Sequence, residues 1–288
     1  MTTNPVKRLA PTVYVYFGIF LTDWLNALLN RLKKQNIASN VCFKFNSLIQ
    51  ATNLDKFYFI SLKGKIAIVT GCSKGIGLST TMSLLKKGVI VAGWSRTPTN
   101  ISHKNFTHFV TDVSNFESVH KSHNQTIANL GQADILINNA GIGFASEFEK
   151  LDKDKWHKMF DVNVHGMYYC SKMVIPGMKA KGAGHIINIG SIAGTTAVKN
   201  MVGYASTKHA VTGMTHSLFM ELREFGIKVT CIYPGSVKTG FFDNIDEIEA
   251  HNHMMNPEDI AGTIIHVLES PPNYHHVDIE VRPLKPKG

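Results

Sequence analysis

The sequence lacks closely spaced cysteines. Its 288 residues include four cysteines, and no two of them form a CxxC pair: Cys42, Cys72, Cys170 and Cys231. This spacing argues against a disulfide framework and against a cysteine-based zinc site, and scattered free thiols fit a reducing compartment. We therefore expect a cytoplasmic chain without disulfides and without a metal centre.

Acidic residues are nearly absent from the first part of the chain. Asp23 is the sole acid before Leu54. The basic residues there are Lys7, Arg8, Arg31, Lys33, Lys34 and Lys44. The net charge of +9 is therefore largely a property of this segment. Basic proteins attract phosphates, nucleic acids and anionic membranes. No run of basic residues interleaved with aromatic residues follows, so nucleic acid is not an expected partner.

The N-terminal part also lacks an uninterrupted apolar run of membrane-spanning length. Residues 13–29 are mostly apolar, but Asp23 and Asn26 interrupt them, and a span needs about 20 mostly apolar residues. Residues 1–61 are predicted to form an N-terminal extension, either an extra helix or a poorly ordered tail. Membrane contact through residues 9–29, organelle targeting and an oligomer contact are the alternatives.

Internal repeats and low-complexity linkers are absent as well, which favours one domain over residues 62–288. From Lys65 onward, short apolar strands alternate with helices. Strands are predicted at 65–70, 89–93, 107–111, 134–138, 185–189, 228–233 and 277–281, and helices at 79–87 and 115–130. This alternation predicts an α/β fold, a doubly wound parallel sheet of about seven strands with helices on both faces.

A glycine-rich turn follows the first predicted strand and precedes a helix, with the sequence Thr70-Gly71-Cys72-Ser73-Lys74-Gly75-Ile76-Gly77. Glycines let the backbone turn tightly and approach a pyrophosphate, whose charge then lies at the N-terminus of the following helix. Because the strand and the helix are both in place, the turn predicts a Rossmann-type dinucleotide site.

The end of the second strand indicates which dinucleotide binds. A domain that uses NAD normally has an acid there for the ribose 2′-hydroxyl, but this chain has Ser95-Arg96 and no carboxylate. The planar guanidinium of Arg96 suits a 2′-phosphate, and Lys74 in the glycine turn is placed to reach the same group. We therefore predict NADP(H) in preference to NAD(H).

Tyr204 and Lys208 lie on one face of a predicted helix, because they are four residues apart. A tyrosine ionises at about pH 10, and a neighbouring ammonium is expected to lower its pKa toward neutrality, where it acts as an acid or base. Ser191 follows the predicted strand 185–189, at the end of the sheet where ligands bind. Its hydroxyl is expected to bond a carbonyl oxygen that gains negative charge.

These segments, in this order, resemble the compact branch of the short-chain dehydrogenase/reductase family, whose glycines are spaced TGxxxGxG. The resemblance covers most of residues 64–240. It implies a catalytic tetrad of Asn163, Ser191, Tyr204 and Lys208, in which Asn163 holds a water of the proton relay and Lys208 also bonds the nicotinamide ribose. It implies cofactor contacts from Gly71, Ser73, Lys74, Gly75, Ile76, Gly77, Arg96, Asp112, Val113, Asn139, Ala140, Gly141, Tyr204, Lys208, Pro234, Gly235, Val237 and Thr239.

The function that this resemblance implies is hydride transfer between NADP(H) and a small-molecule carbonyl or secondary alcohol. The family also leads us to expect a homodimer or homotetramer that pairs through the helices of Asn163 and Tyr204. Residues 256–283 resemble NADP-dependent 3-hydroxy-acid and serine dehydrogenase-like members. Two alternatives stay open: an NADPH-binding regulatory protein without turnover, and a membrane-associated reductase of lipid-like carbonyls.

Residues 240–256 lie where the family carries its substrate lid. Four apolar side chains there either line a pocket or pack within the lid itself: Phe241, Phe242, Met254 and Met255. The histidines near the C-terminus are expected to face solvent and not a metal: His251, His253, His275 and His276.

Overall fold

The computed structural model describes residues 60–241 and 253–285. Several predicted features lie outside these ranges: the N-terminal extension apart from Ile60 and Ser61, the membrane-contact segment 9–29, Cys42, Phe242 and His251. Across the described ranges, no helix is long and apolar enough to cross a membrane.

Seven parallel strands form one sheet. They are β1 Ile66–Thr70, β2 Ile90–Ser95, β3 Phe106–Val110, β4 Ile135–Asn138, β5 Gly184–Ile189, β6 Ile227–Pro234 and β7 Asp278–Val281. Their order across the sheet is β3-β2-β1-β4-β5-β6-β7, and every pairing is parallel. This confirms the predicted doubly wound sheet.

Helices connect the strands and cover both faces of the sheet. They are α1 Gly75–Lys86, α2 Phe116–Leu130, α3 Lys153–Phe160, α4 Gly166–Lys181, α5 Val202–Leu222 and α6 Pro257–Leu268. A π-helical turn, Asp161–His165, joins α3 to α4.

The core lies on both sides of the sheet because alternate strand residues point to opposite faces. Ala67 and Val69 of β1 belong to a cluster with Leu84 of α1 and Ile264 of α6. Ile68 belongs to a second cluster that includes residues of α2 and α4. Burial on both faces explains why the strands are almost continuously apolar. Each large aliphatic side chain that is fully buried contributes about 1.5–3 kcal/mol.

The strand order reverses between β1 and β4, and in open α/β sheets a ligand crevice forms at that point, beyond the carboxyl ends of the strands. The predicted site segments follow these carboxyl ends. Their first residues are Gly71 after β1, Arg96 after β2, Asn139 after β4, Ser191 shortly after β5 and Gly235 after β6.

The predicted elements begin and end within one residue of their observed bounds, except for two. The helix predicted at 79–87 begins at Gly75, because the glycines of the turn allow its first residues to approach β1 closely. A Cβ on Gly77 would lie 2.2 Å from the carbonyl oxygen of Gly71. The second strand extends to Ser95 because β3 continues to pair with it, Ser95 opposite Val110.

The prediction that His275 and His276 face solvent is wrong. His275 Nε2 lies 2.9 Å from the backbone oxygen of Val229. Burial lowers the pKa of both imidazoles, so they are held in the neutral form. No cluster of His, Cys, Asp and Glu suited to a metal occurs among the residues that the structure describes.

Candidate active site

The glycine turn packs α1 tightly against the end of β1. Gly71 and Gly75 have φ angles of +65° and +56°, the left-handed region that glycine adopts without strain. Ser73 is half-buried in the turn, and Ile76 packs against the core. Gly77 also leaves no room for a side chain. The glycines are therefore needed to bring the start of α1 beside the end of β1.

The N-terminus of α1 is not capped by a side chain. Lys74 is the N-cap residue and forms no capping hydrogen bond, and the first turn holds no acidic residue. By contrast, the side chain of Asn115 caps α2 and Asn256 forms a capping box on α6. The first-turn N–H groups of α1 therefore fit an anion such as the pyrophosphate of a dinucleotide.

Hydrogen bonds join the glycine turn to the predicted Asn139-Ala140-Gly141 turn after β4. Thr70 Oγ1 accepts from the backbone N–H of Asn139 (2.9 Å) and of Ala140 (3.0 Å). Asn139 Nδ2 donates to the backbone oxygen of Thr70 at 2.9 Å. Thr70 opens the TGxxxGxG motif but is missing from the predicted site residues. Its hydroxyl joins two turns that are far apart in the sequence, and only the fold brings these turns together.

The segment after β6 reaches the same glycine turn. β6 ends at Pro234, Gly235 N donates to the backbone of β7 at 2.7 Å, and Val237 is buried. Thr239 Cγ2 lies 3.1 Å from the position that a Cβ on Gly75 would take. Two motifs that are far apart in the sequence therefore meet at the crevice.

The predicted adenosine side of the site contains one acid and two cations. Asp112 Oδ1 accepts a 2.6 Å hydrogen bond from Ser114 Oγ, and the next residue, Val113, is buried. Lys74 and Arg96 are exposed, and neither forms an ion pair within residues 60–241 and 253–285. Both cations are therefore available to an anionic ligand.

Tyr204, Lys208 and Ser191 meet beyond the carboxyl end of β5. Tyr204 and Lys208 are one turn apart on α5 and both are buried, with Lys208 Nζ 5.6 Å from the centre of the Tyr204 ring. Lys208 Nζ donates a 2.7 Å hydrogen bond to the backbone oxygen of Ile189. Ser191 Oγ accepts from Ala193 N at 3.1 Å, and its side chain is hydrogen-bonded to Tyr204.

Burial dominates the pKa of Tyr204. Desolvation raises the pKa of Tyr204 to about 12, and the hydrogen bond with Ser191 acts in the opposite direction but is weaker. Burial also lowers the pKa of Lys208 to about 8. The prediction that Lys208 brings the pKa of the tyrosine toward neutrality is wrong for the protein chain, because a phenolate deprived of water is costly. Tyr204 is therefore a protonated acid at neutral pH.

Asn163 lies in the π-helical turn between α3 and α4, where its amide is buried. Asn163 Oδ1 accepts from the backbone N–H of Ile142 (2.9 Å), and its Nδ2 donates to the backbone oxygen of Ile142 (2.8 Å) and to Thr207 Oγ1 (3.0 Å). The side chain thus joins the loop after β4 to α5, next to Lys208. Neither Ile142 nor Thr207 is among the predicted site residues, because both act through their position in the fold.

A small cavity of about 10 Å³ adjoins Lys208 and Asn163. This volume is about what one water needs, provided that polar partners line the cavity. Asn138 also lines it, and Asn138 Oδ1 has no hydrogen-bond partner within the described residues. The cavity fits the water that the resemblance assigns to a relay between Asn163 and Lys208.

Apolar side chains pack around Tyr204. The ring of Phe241 lies 5.3 Å from that of Tyr204, centre to centre, and Ile142 and Phe144 pack in the same cluster. Met255 instead packs against the core cluster of β1 and α6. Of the predicted lid residues, Phe241 therefore contacts the site, whereas Met255 packs within the fold.

The family model described as short chain dehydrogenase matches residues 65–250. The chain is 34% identical over 230 residues to an uncharacterized oxidoreductase of Staphylococcus haemolyticus. The alignment covers 77% of this chain and 99% of that protein. A similar structure is the 3-ketoacyl-(acyl-carrier-protein) reductase from Brucella melitensis complexed with NADH, with a TM-score of 0.73, 25% identity, and 78% and 99% of the two chains covered. Another is the closed form of serine dehydrogenase complexed with NADP+, with a TM-score of 0.71, 29% identity, and 75% and 94% covered.

The matched region contains the glycine turn as well as Asn163, Ser191, Tyr204 and Lys208. The oligomeric state, the location in the cell and the roles of individual site residues stay predictions. The oxidoreductase class and the nicotinamide-binding fold predicted from the sequence are confirmed. The chain belongs to the short-chain dehydrogenase family.

Proposed function

We propose that this oxidoreductase reduces a small-molecule carbonyl with NADPH, using Asn163, Ser191, Tyr204 and Lys208. The observation that carries the proposal is the convergence of a buried tyrosine, a buried lysine and a half-exposed serine beyond the carboxyl end of β5. Of these groups, Ser191 and Tyr204 share a hydrogen bond, and Lys208 is held by Ile189.

Each side chain has a distinct role in the proposed reaction. When bound, the nicotinamide supplies the hydride. Ser191 donates a hydrogen bond to the carbonyl oxygen, where negative charge develops. Tyr204 transfers its proton to that oxygen, which becomes a hydroxyl. Lys208 and Asn163 return a proton to Tyr204 through water in the adjoining cavity.

The protonation state of Tyr204 favours the reductive direction. Its pKa of about 12 leaves the phenol protonated at neutral pH, and reduction requires a proton donor. Oxidation of an alcohol requires the same group to begin as a base. We therefore propose reduction as the direction that this site catalyses more readily near neutrality.

The preference for NADPH is proposed from the charges of this chain. The end of β2 offers Arg96 and no carboxylate, and Lys74 lies at the uncapped N-terminus of α1. Both cations are exposed and unpaired within the described residues. A 2′-phosphate gives these two cations a negatively charged partner, whereas the 2′-hydroxyl of NADH does not.

The test is the consumption of NADPH and of NADH with a panel of aldehydes, ketones and 3-oxo acids. Tyr204→Phe removes the proton donor and is expected to lower kcat by about 10²- to 10⁴-fold. Tyr169→Phe is the matched control, because Tyr169 is a half-buried tyrosine of α4 outside the candidate site. It is expected to leave kcat unchanged.

Three results would contradict the proposal in different ways. Tight NADPH binding without turnover of any compound would favour a regulatory protein. A preference for NADH would show that Lys74 and Arg96 do not read a 2′-phosphate. Full activity of Tyr204→Phe would remove Tyr204 from the reaction.

A further inference from the structure

The hydroxyl of Ser95, the last residue of β2, is the centre of a hydrogen-bond network in which Ser95 and Cys72 are buried and His108 is half-buried. It donates to the backbone oxygen of Thr97 at 2.7 Å. It also lies 2.9 Å from His108 Nε2 and 3.4 Å from Cys72 Sγ. A serine hydroxyl has one proton and two acceptor sites. Since the proton points to Thr97, His108 and Cys72 are the donors.

The protonation states of both neighbours agree with this assignment. Burial lowers the pKa of His108, so its ring is neutral near pH 7. A neutral ring has one N–H, and the assignment above places it on Nε2. Burial raises the pKa of Cys72, so the thiol keeps its proton. Cys72 is fully buried, which also argues against the reactive thiol that its position in the glycine turn suggests.

This network connects the backbone segments that carry the two cations. Cys72 belongs to the glycine turn, shortly before Lys74, and Arg96 lies between the bonded residues Ser95 and Thr97. A further backbone bond of 2.7 Å, from Gly71 to Trp94, runs beside the network. The pairing of β1 with β2, the bond between Gly71 and Trp94 and the contact between Cys72 and Ser95 together hold the two cation-bearing turns side by side.

We infer that Ser95 and His108 are positioning residues for recognition of the adenosine 2′-phosphate, acting through Arg96 and Lys74. This inference rests on the proposed preference for NADPH. Arg96 is long and exposed, and binding must overcome its conformational entropy. A fixed backbone at residues 95–97 reduces the number of arrangements available to the guanidinium, as supporting hydrogen bonds do at other binding sites.

The test measures binding of two adenosine probes to the full chain by isothermal titration calorimetry. Adenosine 2′,5′-bisphosphate carries the 2′-phosphate, whereas 5′-AMP lacks it. The ratio of their dissociation constants isolates recognition of that phosphate from folding and from catalysis. We expect the unmodified protein to prefer the bisphosphate and Arg96→Ala to lose most of that preference.

Ser95→Ala and His108→Phe are expected to reduce the preference about 3- to 10-fold, which is the size of effect that loss of one neutral hydrogen bond produces. Ser95→Thr keeps the hydroxyl and His108→Gln keeps a donor near the Nε2 position, so both are expected to retain the preference. Thr215→Val removes an equally buried hydroxyl on α5, far from this network, and controls for a general loss of stability.

The outcomes separate the two proposals. If Arg96→Ala loses the preference while Ser95→Ala and His108→Phe keep it, the positioning role is wrong and the proposed cofactor preference stands. If the unmodified protein binds both probes equally, the cofactor preference fails and the positioning role fails with it. An equal loss in Ser95→Ala and Thr215→Val would also overturn the positioning role.

Discussion

Lys208 donates a 2.7 Å hydrogen bond to the backbone oxygen of Ile189, the last residue of β5. The chain continues from Ile189 through Gly190 to Ser191, so this bond fixes α5 to the strand end that carries the serine. It also satisfies one of the three donors of an ammonium that is almost fully buried. The position of Lys208 and the position of Ser191 are therefore coupled.

The rate of the reductive reaction is expected to fall above about pH 8. Burial lowers the pKa of Lys208 to about 8, so the ammonium loses its charge as the pH rises through that value. The pKa of Tyr204, about 12, keeps the phenol protonated throughout. The measurement is kcat/KM for NADPH against pH, which reports groups of the free enzyme. If kcat/KM stays constant up to pH 10, the reaction does not depend on a loss of charge at Lys208 near pH 8, and the expectation is wrong.

Lys208→Met is expected to abolish activity and to stabilise the fold near pH 7. The pKa of Lys208 is lowered from 10.5 to about 8, so the unfolded chain binds more protons than the folded chain between these values. Wild-type stability therefore rises with pH across this window. Below pH 8 the buried charge costs about 3 kcal/mol, which methionine does not incur.

Urea unfolding at pH 7 and at pH 10.5 checks this expectation. Because methionine loses the bond to Ile189 at both pH values, the test is the difference: the stability of Lys208→Met relative to the wild type should be about 3 kcal/mol greater at pH 7 than at pH 10.5. Tyr204 is the same in both proteins, so its own titration cancels from the comparison. A gain of equal size at both pH values would contradict the assignment of the penalty to the lysine charge.

Gly77→Ala is expected to destabilise the protein by about 3 kcal/mol or more and to abolish cofactor binding. The added Cβ would lie 2.2 Å from the backbone oxygen of Gly71. A backbone atom cannot move aside as the end of a flexible side chain can, so the clash strains the fold. Gly262→Ala is the matched control, because Gly262 is an exposed glycine in the middle of α6 with nothing within 4 Å of its Cβ position.

Gly262→Ala should instead stabilise the protein by about 0.5–1 kcal/mol, since alanine loses less conformational entropy in a helix. Thermal unfolding and NADPH binding distinguish the two variants. Wild-type binding by Gly77→Ala would mean that α1 can move away from β1 without harm to the site.

The predicted dimer is expected to depend on the outer faces of α4 and α5. Tyr168 of α4 is 45% exposed and Met220 of α5 is 56% exposed. If these faces pair, Tyr168→Asp and Met220→Asp place a charge in the interface and shift the population toward monomer. Met82→Asp on α1, where Met82 is 41% exposed, is the control and should leave the mass unchanged.

Light scattering after size-exclusion chromatography gives the mass of each variant. A dimer or tetramer that tolerates both substitutions pairs through another surface.

The sequence was sufficient to predict the features that depend on neighbouring residues. The alternation of apolar strands with helices predicted the parallel sheet, because burial on both faces requires it. The glycine turn predicted the dinucleotide site, since it lies between a strand and a helix. The spacing of Tyr204 and Lys208 predicted that they share a helix face, because one helical turn separates them.

The tertiary structure decided what depends on distant segments and on solvent. Asn163 bonds Ile142 and Thr207 only because the loop after β4, the π-helical turn and α5 are packed together. The pKa of Tyr204 is raised and not lowered because burial removes the water that stabilises a phenolate, and spacing along the chain does not report burial. Ser95 and His108 meet because β2 and β3 pair in one register. Local sequence determines which groups are present, and packing determines their distances and their protonation states.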